Sequence, residues 1–206
     1  MTEHPLPLQQ LCRVAIGAAQ AAGQFIQGVD RNDIQRQHKD AGSSLASQLV
    51  TQVDFRSEAI IREYLGETCK QWNIAFVGEE SSSTPRNEIP ERLTKAHFWC
   101  VDPLDGTLPF VEGIPGYAVS IALVEQSGTP LIGVVYDPAR RILMHAIKGQ
   151  GAYRDMSAIC PVDEVSTSLM VFADASFKTQ DNCDDVVAAL NACAQRAGLG
   201  GIEVVF

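Results

Sequence analysis

Apolar residues recur at helical spacing from the start of the chain. Leu8, Leu11, Val14 or Ala15, Ala18, Ala22 and Phe25 share one face of a helix predicted from Leu6 to about Val29, with Gly28 as its stop. The next stretch, DRNDIQRQHKDAGSSLASQ, is polar, has little period, and reads as a loop or short strands. LVTQVDFRSEAIIREYLGE returns to helical spacing, with Thr51 or Asp54 as the cap and Ala59, Ile60, Tyr64 and Leu65 as the apolar stripe.

Beyond Gly66 the pattern becomes β-rich. WNIAFVGEES is a short β run, SSSTPRNEIPER a turn-rich loop, and AHFWCVD a buried strand. YAVSIALVEQSGTPLIGVVYDPARRILMHAIKGQGAY reads as three strands of a meander, broken at QSGTP and DPARR. From about Met156 come a strand, SLMVFADAS, a helix, CDDVVAALNACAQRAG, and the start of a strand, GIEVVF. Helices, then meander strands, then a β-α-β opening predict a layered α/β chain. Two domains are expected, one over residues 1–155 and the beginning of a second over 156–206.

Composition narrows the function classes. The chain has 206 residues, is 46% hydrophobic and 20% charged, and carries a net charge of −9. An acidic surface repels nucleic-acid backbones and anionic headgroups, so neither nucleic acid nor membrane is expected as a partner. A phosphorylated small molecule stays compatible if a cation mediates. No apolar run approaches the ~20 residues of a membrane span, and the N-terminal stretch has no basic n-region. The six cysteines include no C-x-x-C pair, so reduced thiols and a cytoplasmic location are expected.

The densest chemistry lies in WCVDPLDGTLPF. Pro103 keeps Asp102 extended and then turns the chain, which brings Asp102, Asp105 and the Leu104 carbonyl to one side. Gly106 permits close backbone approach, and Thr107 starts a short helix whose free N–H groups suit an anion. Two carboxylates and a carbonyl are hard oxygen ligands of the kind Mg²⁺ takes. D-P-x-D-G is equally good turn chemistry on its own. Glu79 and Glu80 also follow a β run, and Asp54 with Thr51 flanks the second helix, so three acidic places converge if the strands share a sheet. Read singly, these are a solvated loop and a helix cap. The four histidines, His4, His38, His97 and His145, are isolated and read as surface or packing residues.

The order LVTQVD, VGEES, WCVDPLDGTLPFVEGIPGYAVSIALV, GVVYDP and KGQGAY resembles the inositol monophosphatase family, from roughly Lys39 to Phe206. The resemblance implies an αβαβα sandwich and a Mg²⁺-dependent, lithium-sensitive phosphomonoesterase acting on small sugar or inositol phosphates. It implies metal ligation by Glu79, Asp102, Asp105, the Leu104 carbonyl and Glu80. Thr107 with Glu79 would orient and activate the attacking water, and Asp54 would support Thr107. Asp105, Gly106 and Thr107 would seat the phosphate. The implied reaction is in-line attack by metal-activated water on phosphorus, with a second metal stabilising the leaving alkoxide. A homodimer is implied as well.

Departures accompany the match. Pro109 stands where the family usually has Asn, and Glu112 where it often has a basic residue or His. The segment between Lys39 and Thr51 is longer than usual. The family's W-D-x-A-A-G segment, which completes the metal site, falls past Phe206, so the second domain is expected to be incomplete. Two other readings stand beside the leading one. The first is a 3′(2′),5′-bisphosphate nucleotidase of the same family, from which Leu108 and Pro109 lean away. The second is a truncated, non-catalytic metal-binding or regulatory module.

Overall fold

The computed structural model describes residues 5–30, 43–81, 90–159, 168–172, 183–196 and 201–205. The chain forms two compact units, Met1–Ile159 and Cys160–Phe206.

In the first unit, α1 (Leu8–Gly28) is built around small residues. Leu11, Cys12, Ala15, Ala18, Ala19, Ala22, Gly23 and Ile26 are buried. The expected stripe is right in outline, but the seam turns onto Ile26 rather than Phe25, because small side chains let the helix approach the sheet closely. Gly23 marks that approach, since any Cβ there would run into the Tyr136 ring.

The second helix, α2, runs Ser43–Gln71 and starts well before the expected cap. SSLASQ contains no Gly or Pro, and its Leu, Ala and Gln are good helix formers, so the helix takes in Ser43–Gln48, the last residues of the stretch expected as a loop or short strands. Asp54 therefore lies inside α2 and caps nothing. The buried face also differs from expectation. Val53, Asp54, Ser57, Glu58, Ile61, Leu65 and Thr68 are buried, while Ala59 is exposed and Tyr64 is 46% exposed. Polar residues on the inner face hid the true period. The expected loops lie partly outside the described residues, at 31–42 and 82–89, as do His4, His38 and Lys39.

One seven-stranded sheet follows, with strands in the order β1-β2-β3-β4-β5-β6-β7. They are β1 (Ala75–Gly78), β2 (His97–Asp105), β3 (Ala118–Glu125), β4 (Pro130–Asp137), β5 (Ile142–Ile147), β6 (Gly151–Arg154) and β7 (Ser157–Ile159). β1 pairs with β2 in parallel, and every later pairing is antiparallel. The meander thus has five strands, β3 to β7, where three were expected. Gly149 and Gly151, at φ 75° and 85°, make the extra reversal at KGQGAY. α1 packs on β3, β4 and β5, and α2 on α1, β1 and β2. Trp99 of β2 is fully buried, and its indole N–H donates to Thr68 Oγ1 of α2 at 3.0 Å. That bond fixes α2 across the strands that carry the acids. His145 of β5 stacks on Tyr153 of β6, with ring centroids 5.2 Å apart, a packing role.

In the second unit, β8 (Ser168–Phe172) and β9 (Gly201–Val205) pair in parallel, with Cys183–Arg196 forming helix α4 between them in sequence. This is the β-α-β unit the sequence predicts. Among the described residues no helix is long and apolar enough to cross a membrane. Among the described residues, Cys12, Cys69, Cys100 and Cys193 are in no disulfide.

Candidate metal centre and active site

The parallel register of β1 and β2 runs from Ala75↔Phe98 to Gly78↔Val101. The parallel pairing therefore ends at one edge, and the next residues, Glu79 after β1 and Asp102 within β2, stand side by side. The Glu79 N–H donates to the Val101 carbonyl at 3.1 Å and carries the pairing one step further.

Beyond Asp102 the chain does not turn sharply away. It stays extended to Asp105, with an irregularity in the β2–β3 register between Asp102↔Ser120 and Asp105↔Ala118. Pro103 and Leu104 are buried, which holds Asp105 out at the edge as an exposed residue. An Asp102 carboxylate oxygen accepts the Leu104 N–H at 3.1 Å, the turn chemistry that D-P-x-D-G allows. Gly106 takes φ 86°, the left-handed region, and begins the short helix α3 (Thr107–Glu112). A Cβ there would run into the Gly116 carbonyl, so Gly is required. Thr107 Oγ1 donates to the Leu104 carbonyl at 3.4 Å, a long bond. Phe110 anchors α3 in the core and meets Tyr117 edge-on at 5.5 Å.

Asp54 approaches the same edge from α2, only 8% exposed. Burial is the larger cause that raises its pKa from 3.8 to about 7, followed by repulsion from Glu80, Glu79 and Asp102. Asp102 rises to about 6, through burial, repulsion from Glu79 and Asp105, and a hydrogen bond with Glu79 that favours its protonated form; the Leu104 N–H acts the other way. Glu80 is raised too, by burial and then by Glu58 and Asp102. Carboxylates from α2, β1 and β2 thus crowd one another in a partly desolvated space, where a cation would relieve the repulsion. The donor set is hard oxygen throughout, which suits Mg²⁺ in kind. Among the described residues, though, no three His, Cys, Asp or Glu side chains stand close enough together to hold a metal ion as they are placed. Asp102 is turned onto the Leu104 N–H and onto Glu79 instead.

Sequence reasoning missed Glu58. It is buried beside the acids, and its carboxylate accepts the Glu80 N–H at 2.9 Å. The signal was available: Asp54, Glu58 and Arg62 are spaced i, i+4, i+8 along one ridge of α2.

The profile of the inositol monophosphatase family matches residues 7–198. The chain belongs to that family. Among its curated members, inositol monophosphatase 2 of Solanum lycopersicum is 34% identical over 152 residues, 74% of this chain and 54% of that protein. Inositol-1-monophosphatase of Synechocystis sp. is 35% identical over 208 residues, 98% of this chain and 68% of that protein. Among solved structures of the family, the staphylococcal SaIMPase-II is similar in a form bound to inositol monophosphate, at 26% identity and TM-score 0.62, covering 94% of this chain and 64% of that one. A form of it bound to 2′AMP gives 28% identity and TM-score 0.64, covering 95% and 65%. The chain therefore spans about half to two thirds of the length of these family members.

Proposed function

We propose that this chain carries the metal-binding half of a Mg²⁺-dependent phosphomonoesterase acting on a small phosphorylated metabolite of the inositol monophosphate type. The observation that carries the reading is the meeting of Asp54, Glu79, Glu80 and Asp102, from three separate elements, at one edge of the sheet. Glu79, Asp102, Asp105, the Leu104 carbonyl and Glu80 would hold the ion. Bound there, Mg²⁺ supplies neutralisation of the phosphoryl charge and a lowered pKa for an attacking water.

The chain's own groups do the rest. The N–H groups of Gly106 and Thr107, at the edge beside Asp105, offer donors to phosphate oxygens. Thr107 Oγ1, now on the Leu104 carbonyl, is placed to exchange that long bond for one to a water. Glu79, exposed at the rim, accepts a proton from that water, with Thr107 as its partner in orienting it. Asp54 supports this pair from α2. Lithium sensitivity, a homodimeric state and a cytoplasmic location belong to the same proposal.

The 2′AMP-bound form of SaIMPase-II supports a second reading, a nucleotide phosphate as substrate. One experiment addresses both. Phosphate release is followed from inositol 1-phosphate, 2′-AMP and 3′-phosphoadenosine 5′-phosphate, with Mg²⁺ and with EDTA, for this chain and for its reading frame extended through any downstream W-D segment. Mg²⁺-dependent release from one class names the substrate. No turnover by either chain on any ester would leave a metal-binding or regulatory module.

A further inference from the structure

Glu58 lies one helical turn beyond Asp54 on α2, and its side chain is only 4% exposed. One carboxylate oxygen, Oε2, accepts the Glu80 N–H at 2.9 Å. The other, Oε1, lies 3.5 Å from Nη2 of Arg62, one turn further along. The same Arg62 nitrogen donates to Ser81 Oγ, and the guanidinium sits 4.0 Å over the Phe76 ring of β1. On the other side, a Cβ at Gly78 would collide with the Glu58 carboxylate. The acid is therefore seated against the backbone on both sides of Glu79, with Gly78 before it and the Glu80 N–H after it. Burying a carboxylate among other acids is costly, and Glu58 adds to the repulsion that raises Glu80. Such a group is tolerated where its hydrogen bonds fix something. Here they fix the turn Gly78-Glu79-Glu80-Ser81.

We propose that Glu58, braced by Arg62, is the positioning residue for the Glu79–Glu80 pair, setting the backbone from which these carboxylates reach the metal. This rests on the metal-centre reading above. A merely structural contact of α2 with the end of β1 would touch stability alone. A positioning role also moves the affinity for the ion, because groups that orient ligands typically change it by about 10- to 100-fold.

The test is direct binding of Mn²⁺ to the full chain, read from the electron paramagnetic resonance signal of the free ion, with no turnover required. Glu58→Ala is expected to raise the Mn²⁺ dissociation constant by about 10-fold or more. Glu58→Gln, whose amide oxygen still accepts the Glu80 N–H, is expected to rescue it to within about threefold of the parent. Should Glu58→Ala not fold, two variants make the same test. Gly78→Ala displaces the carboxylate with Glu58 in place, and Arg62→Leu alters a side chain already 48% exposed. Both are expected to weaken Mn²⁺ binding severalfold. Parent-like affinity in Glu58→Ala, or in both Gly78→Ala and Arg62→Leu, would overturn the inference. A parent chain that takes up no Mn²⁺ at all would instead overturn the metal centre, and the inference with it.

Discussion

Glu79 and Asp102 stand side by side past the last paired residues of β1 and β2, Gly78 and Val101, and repulsion from Glu79 is, after burial, a cause that raises the Asp102 pKa to about 6. In the metal centre proposed above, protons and the ion would compete for these oxygens, and the crowded acids would cost stability whenever the site held neither.

Replacing Asp102 with Asn removes one charge from this crowd and relieves Asp54, whose pKa the Asp102 charge helps to raise. In EDTA at pH 7.5, Asp102→Asn is expected to melt above the parent. With millimolar Mg²⁺ the order should reverse, because the parent gains stability by binding the ion and the variant does not. Differential scanning calorimetry of both proteins, with and without Mg²⁺, checks the crossing. A variant that melts below the parent in EDTA contradicts it.

The same acids set a pH dependence. Asp54 and Asp102 titrate near 7 and 6 in the metal-free fold, against an ordinary value of 3.8. Folded pKa values above the unfolded ones mean that the folded chain binds more protons between these limits. The resulting stability is fully present below about pH 4 and is lost as pH climbs towards 7. In EDTA the parent is expected to lose stability over that window more steeply than Asp54→Asn does. Saturating Mg²⁺ should flatten the slope, and its stabilising effect should grow with pH. Urea titrations at several pH values measure this, and equal slopes for parent and variant would refute it.

Much of this was readable beforehand, and what was not has a physical cause. The strand ends bearing Glu79 and Asp102 were legible because β1 and β2 are apolar runs closed by acids, and W-C-V-D-P-L-D-G-T is specific. The start of α2 was not, since Thr51 and Asp54 make good caps in isolation while the helix formers before them decide the matter. Glu58 escaped because burial of a charged residue depends on a distant partner, here the Glu80 N–H just past β1. The last two strands of the meander were missed because β6 and β7 are short and lie at the sheet's end, where β7 is exposed throughout and no inside–outside alternation marks it.

Thr107 holds its hydroxyl on the Leu104 carbonyl at 3.4 Å, a bond long enough to be given up cheaply. Thr107→Val keeps the shape and deletes the hydroxyl. If Thr107 orients the water, phosphate release should fall by about 10²-fold or more, with Mn²⁺ affinity and thermal midpoint near those of the parent. Thr107→Ser should recover most of the rate. The assay uses whichever chain, this one or its extension, turns over in the substrate test. A Val variant with parent-like kcat would remove Thr107 from the water-orienting role.

Gly106 and Gly149 both adopt left-handed backbone, at φ 86° and 75°, yet their surroundings differ. A Cβ at Gly149 meets nothing within 4 Å, whereas one at Gly106 meets the Gly116 carbonyl and lies 3.0 Å from the Tyr117 Cα. Alanine at either position costs the left-handed strain, about 1 kcal/mol. At Gly106 the collision adds to it, because the neighbours are backbone held by β3 and cannot step aside. Gly106→Ala is therefore expected to cost about 2–3 kcal/mol, against about 1 kcal/mol for Gly149→Ala. The difference between the two in urea unfolding isolates the collision. The consequence for chemistry is separate. Gly106 opens α3 and sets where the Thr107 N–H points, so its variant should also bind inorganic phosphate in the presence of Mg²⁺ more weakly, while Gly149→Ala should not. Equal costs for the two substitutions would mean that the Gly116 segment yields, and that the α3 terminus is not held as tightly as the close approach of Gly106 to Gly116 implies.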